Sequence, residues 1–283
     1  VLLGKELVDE FPKILGQEGR KTYLILFQNN MELRPTGGFI GSFALISFEN
    51  GRLIDVSIQD VYSADGQLKG HVDPPEPIKN YLGEANWYLR DSNWDPDFPT
   101  SAERAEWFLD KELDVAVDGV IGIDLELVKE ILKQTGPVLI ADFNQLVDHN
   151  NLYEKTQYEV EKDFFPGSRK KANFLTALAR ELLLKFSNLT NLNYLNIAIS
   201  FFNSLNQRHV QIFLHDQPQA RIISDFGWDG AVKIPTCRGN CFADWFGVVE
   251  ANLGVNKANY FIKRTSNMII SFDNNKVERF LSV

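Results

Sequence analysis

The sequence predicts an α/β protein with a central mixed, partly parallel sheet, helices on both faces of that sheet and a strand-rich C-terminal appendage. Residues 23–27 form an uninterrupted apolar run, as in a buried central strand. An Asn50-Gly51 pair separates two further apolar runs, which is a strong hairpin signal. Strand and helix patterns then alternate between residues 100 and 140, which favours some parallel pairing.

The N-terminal elements follow from local patterns. A helical period over residues 5–15 is broken by Pro12. The central strand is predicted at 22–27, antiparallel strands at 39–48 and 53–58, and a short helix at 76–82. Thr100 and Glu103 have the spacing of a capping box, in which each side chain satisfies a free backbone N–H group. A helix is therefore expected from residue 100 to 113.

The remaining elements extend this pattern. Asp124 is expected to cap a helix between strands 117–123 and 138–140, giving a β–α–β unit. Further helices are predicted near 151–162, 168–187, 192–207 and 217–225, with a strand at 210–215. The chain of 283 residues, 44% of them hydrophobic, suits one large core. We therefore expect an α/β domain at 1–227 and a strand-rich extension of that domain at 228–283.

Charge and composition restrict the function and the compartment. A net charge of -9 argues against non-specific nucleic-acid binding, which needs basic surface. The chain begins with Val and contains no apolar run of about 18 residues. We interpret it as part of a longer exported protein with a membrane anchor upstream. Cys237 and Cys241 could form a small disulfide, remain free thiols or bind a metal.

The turn at residues 28–42 combines amide side chains, Arg34 and three glycines. Glycines allow close backbone approach, and an Arg fork matches phosphate oxygens. The turn is therefore a candidate phosphate grip. The alternative is a tight turn whose Arg34 pairs with a local carboxylate. No Gly-Lys-Ser/Thr sequence ends the turn, which excludes a Walker loop.

Two other segments could bind ions. Asp91, Asn93 and Asp95 alternate like oxygen ligands, although Pro96 and Ala102 exclude an EF-hand. This loop could hold magnesium or calcium weakly, or bond to itself. The second segment, residues 168–171, places three cations at a predicted helix N-terminus. It could bind an anion or simply be a solvated surface.

Residues 23–30, 32–42 and 91–102 closely resemble a bacterial family known as domain of unknown function 4012. Residues 165–168 and 250–257 extend the resemblance over nearly the whole chain. It implies membrane-anchored extracytoplasmic proteins. More distantly, residues 34–141 are similar to the LytR–CpsA–Psr phosphotransferases, which move glycopolymers from polyprenyl-pyrophosphate carriers onto cell-wall glycan.

This resemblance implies an LCP-like fold, an apolar tunnel between sheet and helices, and a set of site residues. The catalytic residues would be Arg34, Asp60 and Asp91. The substrate-binding residues would be Thr36, Gly37, Gly38, Arg90, Arg169 and Arg180. A divalent cation, taken as Mg²⁺, would be held by Asp60, Asp91 and Asp95.

The chain departs from the phosphotransferase pattern at two places. The segment that begins at Arg34 reads Arg-Pro-Thr-Gly and lacks the acidic residue of those enzymes, and the segment around Asp60 lacks their arginine. Phosphoryl transfer depends on positioning and on cationic stabilisation of the phosphate. Two functions therefore stay open: LCP-like binding of a polyprenyl-pyrophosphate-linked glycopolymer with phosphotransfer, or a non-catalytic envelope module that binds glycan or protein.

Overall fold

The computed structural model describes residues 2–161, 170–186, 191–239, 241, 243–254, 258–273 and 276–283. The strands in these residues are β1 (Lys21–Asn29), β2 (Phe39–Glu49), β3 (Arg52–Asp60), β4 (Gly119–Asp124), β5 (Val138–Ile140), β6 (Gln145–Val147), β7 (Val210–Leu214), β8 (Asn267–Asp273) and β9 (Lys276–Ser282). The α-helices are α1 (Leu2–Ile14), α2 (Val61–Asp65), α3 (Phe98–Leu113), α4 (Leu125–Thr135), α5 (Leu152–Glu161), α6 (Lys170–Phe186), α7 (Asn191–Asn206) and α8 (Gln217–Asp225).

The main sheet has five strands in the order β3-β2-β1-β4-β7. β1 lies at its centre, where it runs parallel to β4 and antiparallel to β2. The other two pairs, β2 with β3 and β4 with β7, are antiparallel. Asn50 and Gly51 both have positive φ, as a tight hairpin turn between β2 and β3 requires. The predicted mixed, partly parallel sheet and its hairpin are confirmed.

Side chains alternate between the two faces of β1, and each face has its own core. Leu24 and Leu26 pack with Phe98 and Phe108 of α3. Tyr23 and its neighbours on the opposite face pack with residues from α4, α7 and α8. Helices therefore cover both faces of the sheet, as predicted.

Two predicted helix boundaries were wrong. Pro12 does not break α1, because it lies in the last turn and the helix ends at Ile14 in any case. α3 begins at Phe98, so the Thr100–Glu103 capping box does not form. Asp97 is the N-cap instead, and its side chain accepts a hydrogen bond of 3.1 Å from the Thr100 backbone N–H.

The predicted β–α–β unit was also wrong, although Asp124 does cap α4 by accepting from the backbone N–H groups of Glu126 and Leu127. β5 does not join the main sheet and pairs antiparallel with β6. Asn144, in the left-handed conformation, reverses the chain between them. The parallel pairing comes from β1 and β4, which are separated in sequence by the β2–β3 hairpin.

The C-terminal extension contains the strand pair β8–β9. The described residues from 230 to 254 form no helix or strand. Cys237 and Cys241 are joined by a disulfide. Within the described residues, no helix has both the length and the apolar character needed to cross a bilayer. The division at residue 227 stays a prediction.

Candidate functional site

Arg34 is buried, with an exposed fraction of 3%. Its Nε donates to Asp91 Oδ1 at 3.2 Å, and its Nη2 lies 3.5 Å from Glu32 Oε1. Nη1 donates to the backbone carbonyl of Asn252 at 2.8 Å and to that of Leu33 at 3.2 Å. Every nitrogen of the guanidinium therefore has a partner in the protein. This arrangement matches the alternative of a turn whose Arg34 pairs with a carboxylate.

The glycine turn also bonds to itself. The Gly37 N–H donates to the Arg34 carbonyl at 2.8 Å, and the Gly38 N–H donates to Gln28 Oε1 at 3.1 Å. Thr36 Oγ1 donates to the same Gln28 oxygen at 3.3 Å. A Cβ on Gly38 would lie 2.2 Å from the backbone of Asn29. The protein's own backbone, rather than a ligand, makes the close approach that requires glycine.

Arg90 forms a second buried ion pair next to the first. Its Nη1 donates to Asp65 Oδ2 and its Nη2 to Glu84 Oε2, both at 2.7 Å. Its guanidinium carbon lies 4.4 Å from the centre of the Tyr88 ring. Its Nε lies 3.5 Å from Asp91 Oδ2. Asp91 therefore stands between two arginines, and Arg90, like Arg34, is occupied by protein groups.

Asp60, Asp91 and Asp95 do not form one group that could hold Mg²⁺. Asp60 Oδ1 accepts from the Tyr62 backbone N–H at 2.9 Å, and Asp95 Oδ1 accepts from that of Asp97 at 2.8 Å. Asp91 is paired with arginines. In the described part of the chain, no three His, Cys, Asp or Glu side chains form a group that could hold a metal ion. The loop around Asp95 bonds to itself, which was the alternative expectation.

Of the two remaining predicted arginines, the structure describes only Arg180, which does not join Arg34. Arg180 lies on α6 with its side chain largely exposed, 3.9 Å from Asp142. Arg169 lies outside the described residues. The structure thus brings Arg34, Thr36, Gly37, Gly38, Arg90 and Asp91 into one buried region, and it does not bring Arg180 there.

An apolar cavity of about 260 Å³ lies between one face of the sheet and helices α4, α6 and α7. It occupies the place where the family resemblance implied a tunnel. Part of its helical wall is formed by residues of α6 that are three or four positions apart in sequence. This spacing is typical of the apolar face of a helix, and it does not by itself indicate a cavity. The main lining residues are Ile25, Phe27, Ala44, Ile46, Ile58, Ile121, Ile123, Leu127, Ile131, Leu175, Leu178, Ala179, Leu182 and Phe201.

Polar residues border one end of this cavity. Asn29 and Asp124 line it, at the ends of the parallel strands β1 and β4. Asp124 Oδ2 accepts a hydrogen bond of 2.7 Å from Nδ1 of His209, which raises the pKa of that histidine. The sequence pattern indicated only a capping role for Asp124, placed Asn29 in the candidate turn without a role of its own, and did not single out His209. Polar residues stand at the ends of both β1 and β4, and this was the pattern in the sequence that could have indicated the polar end of the cavity.

A family model described as Protein of unknown function (DUF4012) matches residues 18–160, half of the chain. The chain belongs to the DUF4012 family. No curated protein matches it. The matched part of this DUF4012 protein includes the main sheet except β7, and also the two buried arginines.

Several solved structures align with this chain over about three quarters of its length. Protein gbs0355 from Streptococcus agalactiae is 12% identical, with a TM-score of 0.46 over 78% of this chain and 76% of that chain. TagV from B. subtilis is 9% identical, with a TM-score of 0.41 over 74% and 78%. TagT bound to LI-WTA is 9% identical, with a TM-score of 0.37 over 75% and 76%.

Arg34→Ala is expected to lower the free energy of unfolding by about 3–5 kcal/mol, because it removes the guanidinium that pairs with the buried carboxylates of Asp91 and Glu32. Arg180→Ala, at an exposed position, should change it by less than about 0.5 kcal/mol. Urea unfolding followed by circular dichroism measures both. Equal stability of the two variants would contradict a structural role for Arg34.

Gly38→Ala should destabilise the protein by about 1–3 kcal/mol, because the added methyl group collides with the backbone of Asn29. The matched change Gly41→Ala places its methyl group where no atom lies within 4 Å, and should be neutral or slightly stabilising. Thermal unfolding measures the stability of both variants. A stable Gly38→Ala protein would show that the turn has room to move.

Glu112 gives stability a pH dependence. Burial, and secondarily the Asp65 carboxylate, raise its pKa from 4.5 to about 8. The folded protein therefore keeps a proton that the unfolded chain releases, so the free energy of unfolding falls as pH rises from about 4.5 to about 8. Glu112→Gln keeps the acceptor for the Leu89 N–H and should reduce that fall.

The matched variant is Glu103→Gln, on the exposed face of the same helix. Urea unfolding at several pH values between 5 and 8 compares wild type with both variants. If the free energy of unfolding changes with pH equally in wild type and in Glu112→Gln, Glu112 is not the cause of the pH dependence.

Proposed function

We propose that this DUF4012 protein binds the isoprenoid chain of a polyprenyl-linked glycan in its apolar cavity, and that it acts at the bacterial cell envelope without transferring phosphate at Arg34. The cavity is the observation on which this proposal rests. It lies between the sheet and helices α4, α6 and α7, and its walls are almost entirely aliphatic and aromatic. Apolar cavities stay dry and take apolar ligands.

The size of the cavity supports a ligand. An engineered cavity of about 150 Å³ accepts benzene, and this one is larger at about 260 Å³. If such a void were closed and empty, it would cost roughly 6 kcal/mol at about 24 cal/mol per Å³. That is comparable with the whole stability of many domains, about 5–15 kcal/mol. A bound hydrocarbon chain would remove this cost.

The buried arginines favour binding over transfer. A phosphotransferase needs cationic groups aimed at the transferring phosphate. Here Arg34 and Arg90 are held by Asp91, Asp65 and Glu84. The proposal therefore keeps the polyprenyl chain that the LytR–CpsA–Psr resemblance implies and takes the non-catalytic role from the alternative module. It requires no Mg²⁺.

Two observations support the envelope location. The family resemblance implies an extracytoplasmic protein, which a membrane segment upstream of this chain would anchor. The disulfide between Cys237 and Cys241 is the kind of bond that persists in oxidising compartments outside the cytoplasm. An exported protein next to the membrane would meet polyprenyl-linked glycans where they are assembled.

Ala179→Trp tests the binding site. Ala179 lines the cavity, so an indole there should occupy the space of the ligand and weaken binding of geranylgeraniol by at least about tenfold. Leu184→Trp is the matched control, because it places the same group on the exposed face of α6. Binding is measured by competition with a fluorescent isoprenoid.

Binding that survives Ala179→Trp would place the lipid elsewhere, and no binding by wild type would contradict the proposal. The non-catalytic part is checked separately with a polyprenyl-pyrophosphate-linked sugar, incubated with and without magnesium. We expect no transfer, and turnover under either condition would overturn that part.

A further inference from the structure

A polar cluster lies at the end of the apolar cavity, where the parallel strands β1 and β4 both stop. It consists of Asn29, Asn30, Asp124, Tyr153 and His209. Gln28 and Asp124 are paired in register, so the residues that follow β1 lie beside the first turn of α4. Asn29 and Asp124 line the cavity itself.

Hydrogen bonds fix the partly exposed side of this polar cluster. Asn30 Nδ2 donates to the Tyr153 hydroxyl at 3.2 Å and lies 3.4 Å from Asp124 Oδ2. The Tyr153 hydroxyl donates to Glu126 Oε1 at 2.7 Å. His209 donates through Nδ1 to Asp124, and its Nε2 bonds to no described residue. The imidazole therefore keeps one ring nitrogen for a ligand.

Asn29 provides an independent indication of a ligand. Its exposed fraction is 2%, and its Oδ1 accepts from the Met31 backbone N–H. Its Nδ2 has no hydrogen-bond partner among the described residues. A buried amide N–H₂ left in this state costs about 1–3 kcal/mol, so such groups usually have an acceptor. A ligand oxygen at the end of the cavity would be that acceptor.

The charges of the neighbourhood select the class of ligand. Asp124 and Glu126 bring two carboxylates, and Lys129 is already paired with Glu126 at 3.0 Å. A pyrophosphate here would be repelled by those two carboxylates. Hydroxyl groups fit better, because they carry no charge and accept from an amide or an imidazole.

We infer that the polar cluster is a binding site for a neutral, hydroxyl-bearing headgroup, a sugar or similar polyol, on the lipid whose chain fills the apolar cavity. This inference rests on the proposed function. Asn29 donates to a ligand oxygen, and His209 Nε2 contacts a second one. The isoprenoid chain continues from this headgroup between the sheet and α6.

Four probes test the inference by competition for one fluorescent isoprenoid: geranylgeraniol, geranylgeranyl glucoside, geranylgeranyl pyrophosphate and methyl glucoside. We expect the geranylgeranyl glucoside to bind about tenfold more tightly than the alcohol and the pyrophosphate, since it adds hydrogen bonds without an anion. Methyl glucoside, without a chain, should compete only at far higher concentration. If it competes as well as the lipid glucoside, the site is one for free sugar.

Asn29→Leu should weaken binding of the geranylgeranyl glucoside about tenfold and leave that of geranylgeraniol within about twofold. His209→Leu, at a half-buried position, should act in the same direction and gives the same test if Asn29→Leu does not fold. His215→Leu is the matched control, because His215 pairs with Glu106 away from the cavity.

The outcomes separate this inference from the proposed function. If geranylgeraniol binds but the glucoside gains nothing, or if the pyrophosphate binds most tightly, the polyol site is wrong and the lipid cavity stands. Equal losses for alcohol and glucoside in Asn29→Leu would also overturn it. If neither lipid binds to wild type, both proposals fail.

Discussion

Arg34 and Asp91 are 57 residues apart, and their ion pair joins the turn at 28–42 to the loop that precedes α3. Two charges taken out of water are stabilised only when further hydrogen bonds satisfy their remaining donors and acceptors. Glu32, Arg90 and the Asn252 carbonyl provide those contacts. The turn geometry, the position of the loop and the attachment of the C-terminal segment all depend on this pair.

The sequence correctly predicted the strands and helix caps that depend only on neighbouring residues in the chain. The unbroken apolar run at residues 23–27 is typical of a buried strand, here β1. Asp124 stands directly before α4 and is its N-cap. Asp97 and Thr100 are both good caps three residues apart, so the start of α3 was ambiguous. The Asn252 carbonyl could not be predicted as a partner of Arg34, because it lies 218 residues away. The cavity depends on how the helices sit against the sheet, which no local pattern specifies.

The turn with Arg34 follows β1, whereas Asn29, at the end of the apolar cavity, is the last residue of that strand. Residues 28–42 stood out in the sequence because glycine and arginine are conspicuous there. Asn29 did not, although it has the buried unsatisfied amide. An arginine that is fully paired is part of the fold, whereas a buried donor without an acceptor is open to a ligand.

The C-terminal segment touches the turn through its main chain. The Asn252 carbonyl accepts from Arg34, and its N–H donates to the Leu33 carbonyl at 2.8 Å. Peptide groups are the same in every residue except proline, which lacks the N–H. This main-chain contact fixes the position of the chain at residue 252, so a shift by one residue would break it. Insertions and deletions nearby are therefore what relatives that keep Arg34 should avoid.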